Sequence, residues 1–191
     1  EFDRVSTTAI NAYVGPRFSR YLRDLEDGLS ALKSLDNLLI MQSNGGIKSL
    51  RQSERLPVGA ILSGPAGGVR GAIHYGSLVC ESNIIALDMG GTSTDISLSH
   101  GGTPTVSSER FESGWKIATP MIDIRTLGAG GGSIARIDEA GFLQIGPESA
   151  GADPGPVSYG RGGKQPTVTD ANLVLGYIDS ASFFGGRKAL D

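Results

Sequence analysis

The first part of the chain carries its apolar residues at helical spacing. From Pro16 onward, apolar side chains follow one another at intervals of four and three residues: Phe18, Leu22, Leu25, Leu29 and Leu32. This spacing places them on one face of a helix. Residues 3–13 also lack turn formers, but Gly15-Pro16 is typical of a helix end followed by a first helical position. The pattern therefore predicts two helices that meet at this dipeptide.

Short apolar runs bounded by glycines come next. Leu38 to Met41 is apolar throughout and is followed by a turn at 43–46, which predicts a buried central strand. Ser63 is predicted to be the N-cap of a helix that runs to about Val79. Four glycines leave a bare flank on this helix, against which another backbone could lie: Gly67, Gly68, Gly71 and Gly76. We therefore expect a crossing or hinge helix.

The middle of the chain alternates apolar runs with glycine turns, which predicts an antiparallel series of strands. The predicted strands and the turns between them occupy, in order, residues 83–87, Gly90-Gly91, 94–99, Gly101-Gly102 and 103–108. Because these strands follow helices, the two kinds of element are mixed in one α/β fold.

The last third is rich in loops. A hairpin is predicted from residues 134–137 and 142–145, and a long Gly/Pro loop from 147–163. A loop of that length is more often functional than idle, although its prolines and glycines also suit a fixed surface loop. Thr169 or Asp170 is predicted to cap a short helix through Leu175.

Composition narrows the classes of function. The chain has 191 residues, of which 39% are hydrophobic and 19% charged, as in globular proteins. A net charge of −3 provides no basic stripe for nucleic acid. Cys80, His74 and His100 are too few and too scattered for a disulfide framework or a Cys/His zinc cluster. No apolar run is long enough to span a membrane. We therefore expect a cytoplasmic protein that binds neither nucleic acid nor membrane.

The chain begins at Glu1-Phe2 without an initiator methionine and is predicted to enter a helix at once. We therefore expect it to be a piece of a longer polypeptide.

One glycine turn carries chemistry of its own, the acidic loop Asp88–Asp95. Its glycines, Gly90 and Gly91, let backbone N–H groups approach an anion. Asp88 would hold Mg²⁺ through water, because magnesium prefers oxygen ligands and keeps part of its hydration shell. Small hydroxyl residues complete the predicted phosphate site: Thr92, Ser93 and Thr94. A plain hairpin is the alternative, but the carboxylate on each side favours phosphate binding.

A second glycine-rich segment, the glycine run Gly128–Ser133, could bring bare backbone against the same ligand. Four of its residues are predicted to contact a nucleotide: Gly130, Gly131, Gly132 and Ser133. A flexible turn between strands is the alternative. No glycine loop is followed by Gly-Lys-Ser/Thr, and none follows a strand and opens a helix at Gly-x-Gly-x-x-Gly spacing. Walker-type and dinucleotide sites are therefore excluded.

Six blocks of the sequence resemble the hydantoinase/oxoprolinase family. In chain order they are Gln42–Gly46, Leu62–Gly68, Leu87–Asp95, Gly128–Ser133, Gly146–Tyr159 and Thr167–Ala171. The resemblance covers nearly the entire chain. Six blocks in the family's order are far more specific than a lone Asp-x-Gly-Gly loop, which many actin-like ATPases share.

The resemblance implies the ribonuclease-H-like fold of actin, sugar kinases and the Hsp70 ATPase domain, in which two halves clamp ATP. Residues 1–62 would end the first half, 63–80 would form the connecting helix, and 81–191 would contain much of the second half. Each half of such a fold offers one phosphate loop, and the acidic loop would be the second. The first would lie outside this chain, so the chain alone should be catalytically inactive.

The resemblance also implies a reaction. Family members use ATP to activate an unreactive carbonyl, which makes ATP and Mg²⁺ the expected cofactors and a cyclic amide, such as a hydantoin or 5-oxoproline, the expected substrate. Asp88 would serve phosphoryl transfer, and Asp123 is a second candidate catalytic residue. A companion subunit or the rest of a longer chain is the expected partner. Two alternatives stay open: an alpha-type subunit of an ATP-dependent ketone carboxylase, and a non-catalytic nucleotide-gated module like Hsp70.

Overall fold

The computed structural model describes residues 1–30, 38–112 and 114–191. Its helices are α1 (Phe2–Ser30), α2 (Leu50–Arg55), α3 (Ser63–Leu78) and α4 (Val168–Val174), with 3-10 helices at Pro57–Ala60 and Val157–Tyr159. Its strands are β1 (Leu39–Met41), β2 (Ile47–Ser49), β3 (Ile84–Met89), β4 (Thr94–His100), β5 (Thr103–Pro104), β6 (Val106–Ser107), β7 (Arg110–Glu112), β8 (Trp115–Ile117), β9 (Met121–Ile122), β10 (Ile124–Leu127), β11 (Ser133–Ile137) and β12 (Leu143–Ser149). The predicted α/β class is confirmed. None of the described helices combines the length and the apolar character needed to cross a membrane.

The chain divides into two compact units. Unit 1 comprises Glu1–Ala86 and Ser97–Ile124, and unit 2 comprises Leu87–Ile96 and Arg125–Asp191. The largest sheet has the strand order β10-β4-β3, with β5 paired to β4. The remaining strands form two-stranded sheets: β1-β2, β6-β9, β7-β8 and β11-β12.

Helix α1 is continuous, so the predicted break at Pro16 is wrong. A proline inside a helix removes one hydrogen bond and crowds the preceding turn. Contacts on both sides of it hold α1 in place. Before the proline, the Ser6 hydroxyl donates to the carbonyl of Lys116 at 2.7 Å. Beyond it, Leu22 is fully buried.

The predicted apolar face of α1 is confirmed where the structure describes it. Leu22 is buried, and Phe18, Leu25 and Leu29 are half-buried. Leu32 lies outside the described residues. The helical spacing therefore identified the side of α1 that packs against the protein.

Two apolar clusters form the core of unit 1. One contains Ala66, Val69, Ile122 and Ile124, with Ile73 packed against it. The other contains Val58, Ile117 and Met121, with Ile10 and Ile61 packed against it. The first cluster thus joins α3 to β9 and β10, and the second joins α1 to β8 and β9.

Strand β1 belongs to a two-stranded hairpin, so the prediction of a central strand is wrong. It pairs antiparallel with β2, and Leu39 is 49% exposed. An apolar run of this length does not reveal how many of its faces are covered. The predicted turn is present, because the Gln42 N–H donates to the Gly46 carbonyl at 2.8 Å and Gly45 has a φ of +76°.

Helix α3 ends where the sequence predicts, since Val79 is its C-cap. Its N-cap is Leu62, in the left-handed conformation, rather than Ser63. The left-handed turn at Leu62 already directs the chain into the helix, so Ser63 lies within the first turn. The bare flank is used at Gly76, where a Cβ would lie 2.9 Å from the carbonyl oxygen of Glu81.

The predicted strands around the acidic loop and the first glycine turn are confirmed as β3 and β4. The strand predicted over 103–108 is instead two, because β5 pairs with β4 and β6 pairs with β9. The Thr105 N–H still donates to the Leu98 carbonyl of β4 at 3.0 Å, and from Val106 onward the chain pairs with β9 instead.

The hairpin predicted in the last third is confirmed, with Ile137 opposite Leu143 in β11 and β12. The N-cap of α4 is Thr167, so the predicted caps at Thr169 and Asp170 are wrong. Thr167 and Asp170 form a reciprocal capping box, in which each side chain bonds the other's backbone N–H.

Candidate functional site

The acidic loop connects β3 to β4. The Gly90 N–H donates to the Ser93 carbonyl at 2.8 Å and closes the turn. Asp88, Gly91 and Thr92 are exposed. Among the residues that the structure describes, none accepts a hydrogen bond from the N–H groups of Gly91 and Thr92. A carboxylate and two backbone donors are therefore accessible on this loop.

The structure brings the acidic loop and the glycine run together within unit 2. The Gly131 N–H donates to the Gly90 carbonyl at 2.9 Å, and the Gly132 N–H donates to the Gly91 carbonyl at 2.6 Å. In a trans peptide the N–H points opposite to the C=O of the same unit. The two carbonyls face the glycine run, so the N–H groups of Gly91 and Thr92 point away from it.

Glycine is required where the two segments touch. A Cβ on Gly130 would lie 2.7 Å from the Gly90 carbonyl oxygen and 2.8 Å from the backbone nitrogen of Ser93. A Cβ on Gly132 would lie 2.9 Å from the Gly91 carbonyl oxygen. Backbone atoms cannot rotate aside as a side chain can, so a side chain at either position would displace the acidic loop.

The N–H groups of Gly130 and Ser133 are also bonded inside the protein. The Gly130 N–H donates to the Ser133 hydroxyl at 2.8 Å, and the Ser133 N–H donates to the Gly130 carbonyl at 3.0 Å. Ser133 is fully buried. Nucleotide contact by Gly130, Gly131, Gly132 and Ser133 stays a prediction, while their observed contacts are with the protein.

Two threonine hydroxyls hold the end of the acidic loop in place through hydrogen bonds. Thr94 is buried and donates its hydroxyl hydrogen to the Ala129 carbonyl at 2.6 Å. The Thr126 hydroxyl donates to Asp95 Oδ1 at 2.7 Å. The predicted phosphate contact of Thr94 is likewise untested, and its hydroxyl is engaged with the glycine run. The contact of Thr126 with the acidic loop was not predicted, although a hydroxyl residue two positions before the glycine run was a usable signal.

The start of α4 supports the glycine run from its other side. The N–H and the hydroxyl of Thr169 both donate to the Gly131 carbonyl, at 2.7 Å and 2.8 Å. The Ala150 N–H donates to the Gly132 carbonyl at 2.8 Å. Each carbonyl belongs to a residue whose N–H reaches the acidic loop. Sequence reasoning considered Thr169 only as a helix cap and missed this contact.

Asp170 joins α4 to the long Gly/Pro loop. Its carboxylate accepts hydrogen bonds from the N–H groups of Val157, Ser158 and Thr167, and from the Thr167 hydroxyl. Partial burial raises the pKa of this carboxyl, but the bonds from Ser158 and Thr167 outweigh that effect and hold the pKa below its ordinary value. The charged form of Asp170 thus stabilises the local structure.

Asp123, the second candidate catalytic residue, lies in unit 1 between β9 and β10. It is half-buried, and its N–H donates to the Thr105 carbonyl at 2.8 Å. A catalytic role for Asp123 stays a prediction.

No protein-only metal cage accompanies the acidic loop. Across the described ranges, no group of three or more His, Cys, Asp or Glu side chains is placed to hold a metal ion. Magnesium commonly binds one or two carboxylates and completes its shell with water and phosphate oxygens. The single exposed carboxylate of Asp88 fits that kind of site.

Comparison with known proteins places these features in context. The family model described as hydantoinase/oxoprolinase matches residues 4–191. The chain is 45% identical to caprolactamase subunit alpha of Pseudomonas jessenii, over 100% of this chain and 27% of that protein. It is 41% identical to a 5-oxoprolinase of Saccharomyces cerevisiae, over 92% of this chain and 13% of that protein.

Solved structures agree with the sequence relatives. The ATP-dependent caprolactamase from Pseudomonas jessenii superposes on the whole chain with a TM-score of 0.82 and 44% identity, and the match spans 28% of that chain. A nucleotide-free acetone carboxylase superposes with a TM-score of 0.78 and 30% identity, over 100% of this chain and 27% of that one. The chain thus spans little more than a quarter of these proteins. The resemblance read from the six sequence blocks is confirmed, and the chain belongs to the hydantoinase/oxoprolinase family.

Proposed function

We propose that the chain supplies one ATP-phosphate site of an enzyme that uses ATP to activate and hydrolyse a cyclic amide. The observation that carries the proposal is the outward direction of the Gly91 and Thr92 N–H groups beside the exposed carboxylate of Asp88. The similarity to an ATP-dependent caprolactamase supports the reaction class.

The acidic loop would hold phosphate oxygens. Successive backbone N–H groups that point to one side form a concave anion site, which costs no side-chain ordering. The exposed Thr92 side chain can add a hydroxyl donor beside them. The two carbonyl bonds to the glycine run fix the N–H groups before the ligand arrives, so binding would need little reorganisation.

Mg²⁺, when bound at Asp88, would neutralise charge on the phosphates during phosphoryl transfer. The part of this chain in the reaction is positional: it would hold phosphate oxygens of the nucleotide while the terminal phosphate of ATP is transferred to the amide oxygen. Phosphorylation of that oxygen would activate the amide carbon towards water. After water adds, the C–N bond would break, the nitrogen would leave as the amine, and the acyl phosphate so formed would be hydrolysed to the ring-opened acid and phosphate.

We further propose a ribonuclease-H-like fold in which residues 1–62 end the first half, 63–80 connect the halves and 81–191 belong to the second half. The other phosphate loop and the substrate pocket would then lie elsewhere in a longer polypeptide or a companion subunit. The chain on its own would be inactive. The chain's coverage of little more than a quarter of the caprolactamase supports this division.

A ketone carboxylase is the second candidate, supported by the superposition on acetone carboxylase. The higher identity to the caprolactamase favours amide hydrolysis over carboxylation.

The substrate class can be tested with the full-length polypeptide and its companion subunit. ATP hydrolysis would be measured with caprolactam, 5-oxoproline, hydantoin, and acetone with bicarbonate, and products identified by mass spectrometry. We expect one cyclic amide to stimulate ADP release and to yield a ring-opened acid. A carboxylated ketone would instead establish the second candidate. Nucleotide-dependent protease protection without turnover of any of these substrates would indicate a nucleotide-gated module.

The role of Asp88 can be tested in the same assay. We expect Asp88→Ala to lower substrate-dependent ATP hydrolysis by on the order of 100-fold, as for loss of other groups that stabilise transition-state charge. Glu139→Gln, at an exposed carboxylate on the β11–β12 turn, is the control and should retain full activity. Unchanged turnover in the Asp88 variant would remove the assignment.

A further inference from the structure

We propose that Thr169 is a positioning residue for the ATP phosphates, acting through Gly131 on the acidic loop. This inference rests on the proposed ATP site and adds to it a residue that would not itself touch the nucleotide.

The contact begins at the amino end of α4. Thr169 gives two hydrogen bonds to one acceptor, since its N–H and its hydroxyl both reach the Gly131 carbonyl, at 2.7 Å and 2.8 Å. A carbonyl oxygen has two lone pairs, so both bonds can form together. Thr169 is 9% exposed, so water has little access to replace its hydroxyl.

The peptide unit that contains the Gly131 N–H connects this contact to the acidic loop. The Gly131 N–H donates to the Gly90 carbonyl at 2.9 Å, and that carbonyl belongs to the same peptide unit as the Gly91 N–H. Because a peptide unit is planar, fixing the Gly90 carbonyl fixes the direction of the Gly91 N–H. Thr169 therefore sets the orientation of one of the two proposed phosphate donors.

Close packing makes this connection stiff. A Cβ on Gly131 would lie 2.8 Å from the Thr169 hydroxyl oxygen, and a Cβ on Gly130 would lie 2.7 Å from the Gly90 carbonyl oxygen. The two segments therefore approach too closely to admit a side chain at either glycine. A parallel connection runs from the Ala150 N–H through Gly132 to the Gly91 carbonyl, but it uses backbone atoms alone. The Thr169 hydroxyl is thus the side-chain donor that mutation can remove.

Thr169 is itself held by its neighbour. The Asp170 carboxylate accepts bonds from the N–H groups of Val157 and Ser158 in the long Gly/Pro loop. The Gly/Pro loop, which carries no ligand chemistry of its own, thereby gains a role: it anchors the residue that orients the acidic loop.

The test uses the full-length polypeptide with its companion subunit. Thr169→Val removes the hydroxyl at nearly constant volume, and Thr169→Ser keeps it. Thr119→Val is the matched control, because it makes the same chemical change where the described residues offer the hydroxyl no partner. The measurements are the Kd of MgADP by calorimetry, the KM for ATP, and kcat at saturating ATP.

Loss of one typical hydrogen bond corresponds to a change in affinity of about fivefold, and at most about 12-fold. We expect Thr169→Val to raise the Kd of MgADP and the KM for ATP by such a factor, with kcat nearly unchanged. Thr169→Ser should stay within about twofold of wild type, as should Thr119→Val. A Thr169→Val protein that binds MgADP like the wild type, or one that loses only kcat, would overturn the proposal.

Hydrogen exchange on the wild-type protein covers the case in which Thr169→Val does not fold. MgADP should slow exchange in peptides that contain residues 88–95, 129–133 and 167–171 together. Protection of 88–95 without protection of 167–171 would overturn the positioning role. Absence of any MgADP binding by the wild type would instead remove the ATP site itself, so the two failures are distinguishable.

Discussion

Unit 1 and unit 2 are stabilised by different means. Unit 1 has two apolar clusters, centred on Ile122 and Ile117. In unit 2 the buried side chains are mostly hydroxyl-bearing: Thr94, Ser133, Ser158, Thr167 and Thr169. Of the described apolar side chains that are buried, only Pro156 and Leu190 belong to unit 2.

This difference fits the roles of the two units, a scaffold in unit 1 and the proposed phosphate site in unit 2. Apolar burial is non-directional, so it stabilises a scaffold without fixing individual hydrogen-bond donors. A hydrogen-bonded network has fixed directions, and a satisfied one specifies a single arrangement. The proposed phosphate site needs two N–H groups that point to one side, and the bonds from Gly131 and Gly132 to the carbonyls of Gly90 and Gly91 provide that orientation. Unit 2 thus has little apolar core, and hydrogen bonds fix the direction of its loop N–H groups instead.

Of the variants that test this difference between the units, Gly130→Ala should have the largest effect on MgADP affinity. The new Cβ would lie 2.7 Å from the Gly90 carbonyl oxygen, so the acidic loop must move. Overpacking of this kind costs typically about 1–3 kcal/mol of stability. We expect MgADP affinity to fall by more than about tenfold, since 1.4 kcal/mol corresponds to a factor of ten.

Gly128→Ala is the matched control, because the structure leaves open space around its Cβ position. Calorimetry with both variants separates the contact from the mere loss of a glycine. Equal affinities in the two variants would show that the glycine run does not set the loop.

Ile117→Ala tests the contribution of the apolar clusters to unit 1. Ile117 is 1% exposed in the second apolar cluster, and truncation of such a residue costs about 2–5 kcal/mol. We expect a large fall in the free energy of unfolding by denaturant titration. Below its melting temperature, the variant should keep MgADP affinity within about twofold of wild type.

Ile137→Ala is the control for that variant, since Ile137 is 65% exposed on β11 and its truncation should change stability by less than about 0.5 kcal/mol. A tenfold loss of MgADP affinity in folded Ile117→Ala would contradict the separation of roles between the two units.

Asp170→Asn should give a smaller, pH-dependent effect. The folded pKa of Asp170 is held below the ordinary value, so the charged carboxylate stabilises the folded state. That contribution is complete above the unfolded pKa of about 3.9 and is lost as the pH falls through the folded value. We expect the variant to lose about 1–2 kcal/mol at pH 7, since the carboxylate that accepts these charge-assisted hydrogen bonds is only partly buried.

Thermal unfolding of both proteins from pH 7 to pH 3 checks this prediction. The difference between wild type and variant should shrink toward acid pH. A constant difference across that range would mean that the carboxylate charge does not act at Asp170.

The sequence predicted the parts of the fold that depend on periodicity and turn chemistry. The face of α1 that contains Leu22, the strands around the acidic loop and the hairpin at Ile137 all followed from spacing. Local rules failed where tertiary contacts outweigh them. Pro16 does not break α1, because the helix is held on both sides of it.

The candidate site was predicted as two separate glycine segments. Nothing in their spacing indicated that the carbonyls of Gly90 and Gly91 would accept the N–H groups of Gly131 and Gly132. In the structure the N–H groups of Gly130, Gly131, Gly132 and Ser133 are bonded within the protein, and nucleotide contact by these residues stays a prediction. Long-range backbone pairing of this kind leaves no pattern in the side chains, so only the structure reveals it.

The most direct test of the ATP-site proposal is a structure of the full-length enzyme with MgADP bound. We expect phosphate oxygens within hydrogen-bond distance of the Gly91 and Thr92 N–H groups, with Asp88 facing the metal through water. Phosphates bound on the side of the loop that faces Gly131 and Gly132, or bound away from the loop altogether, would contradict it.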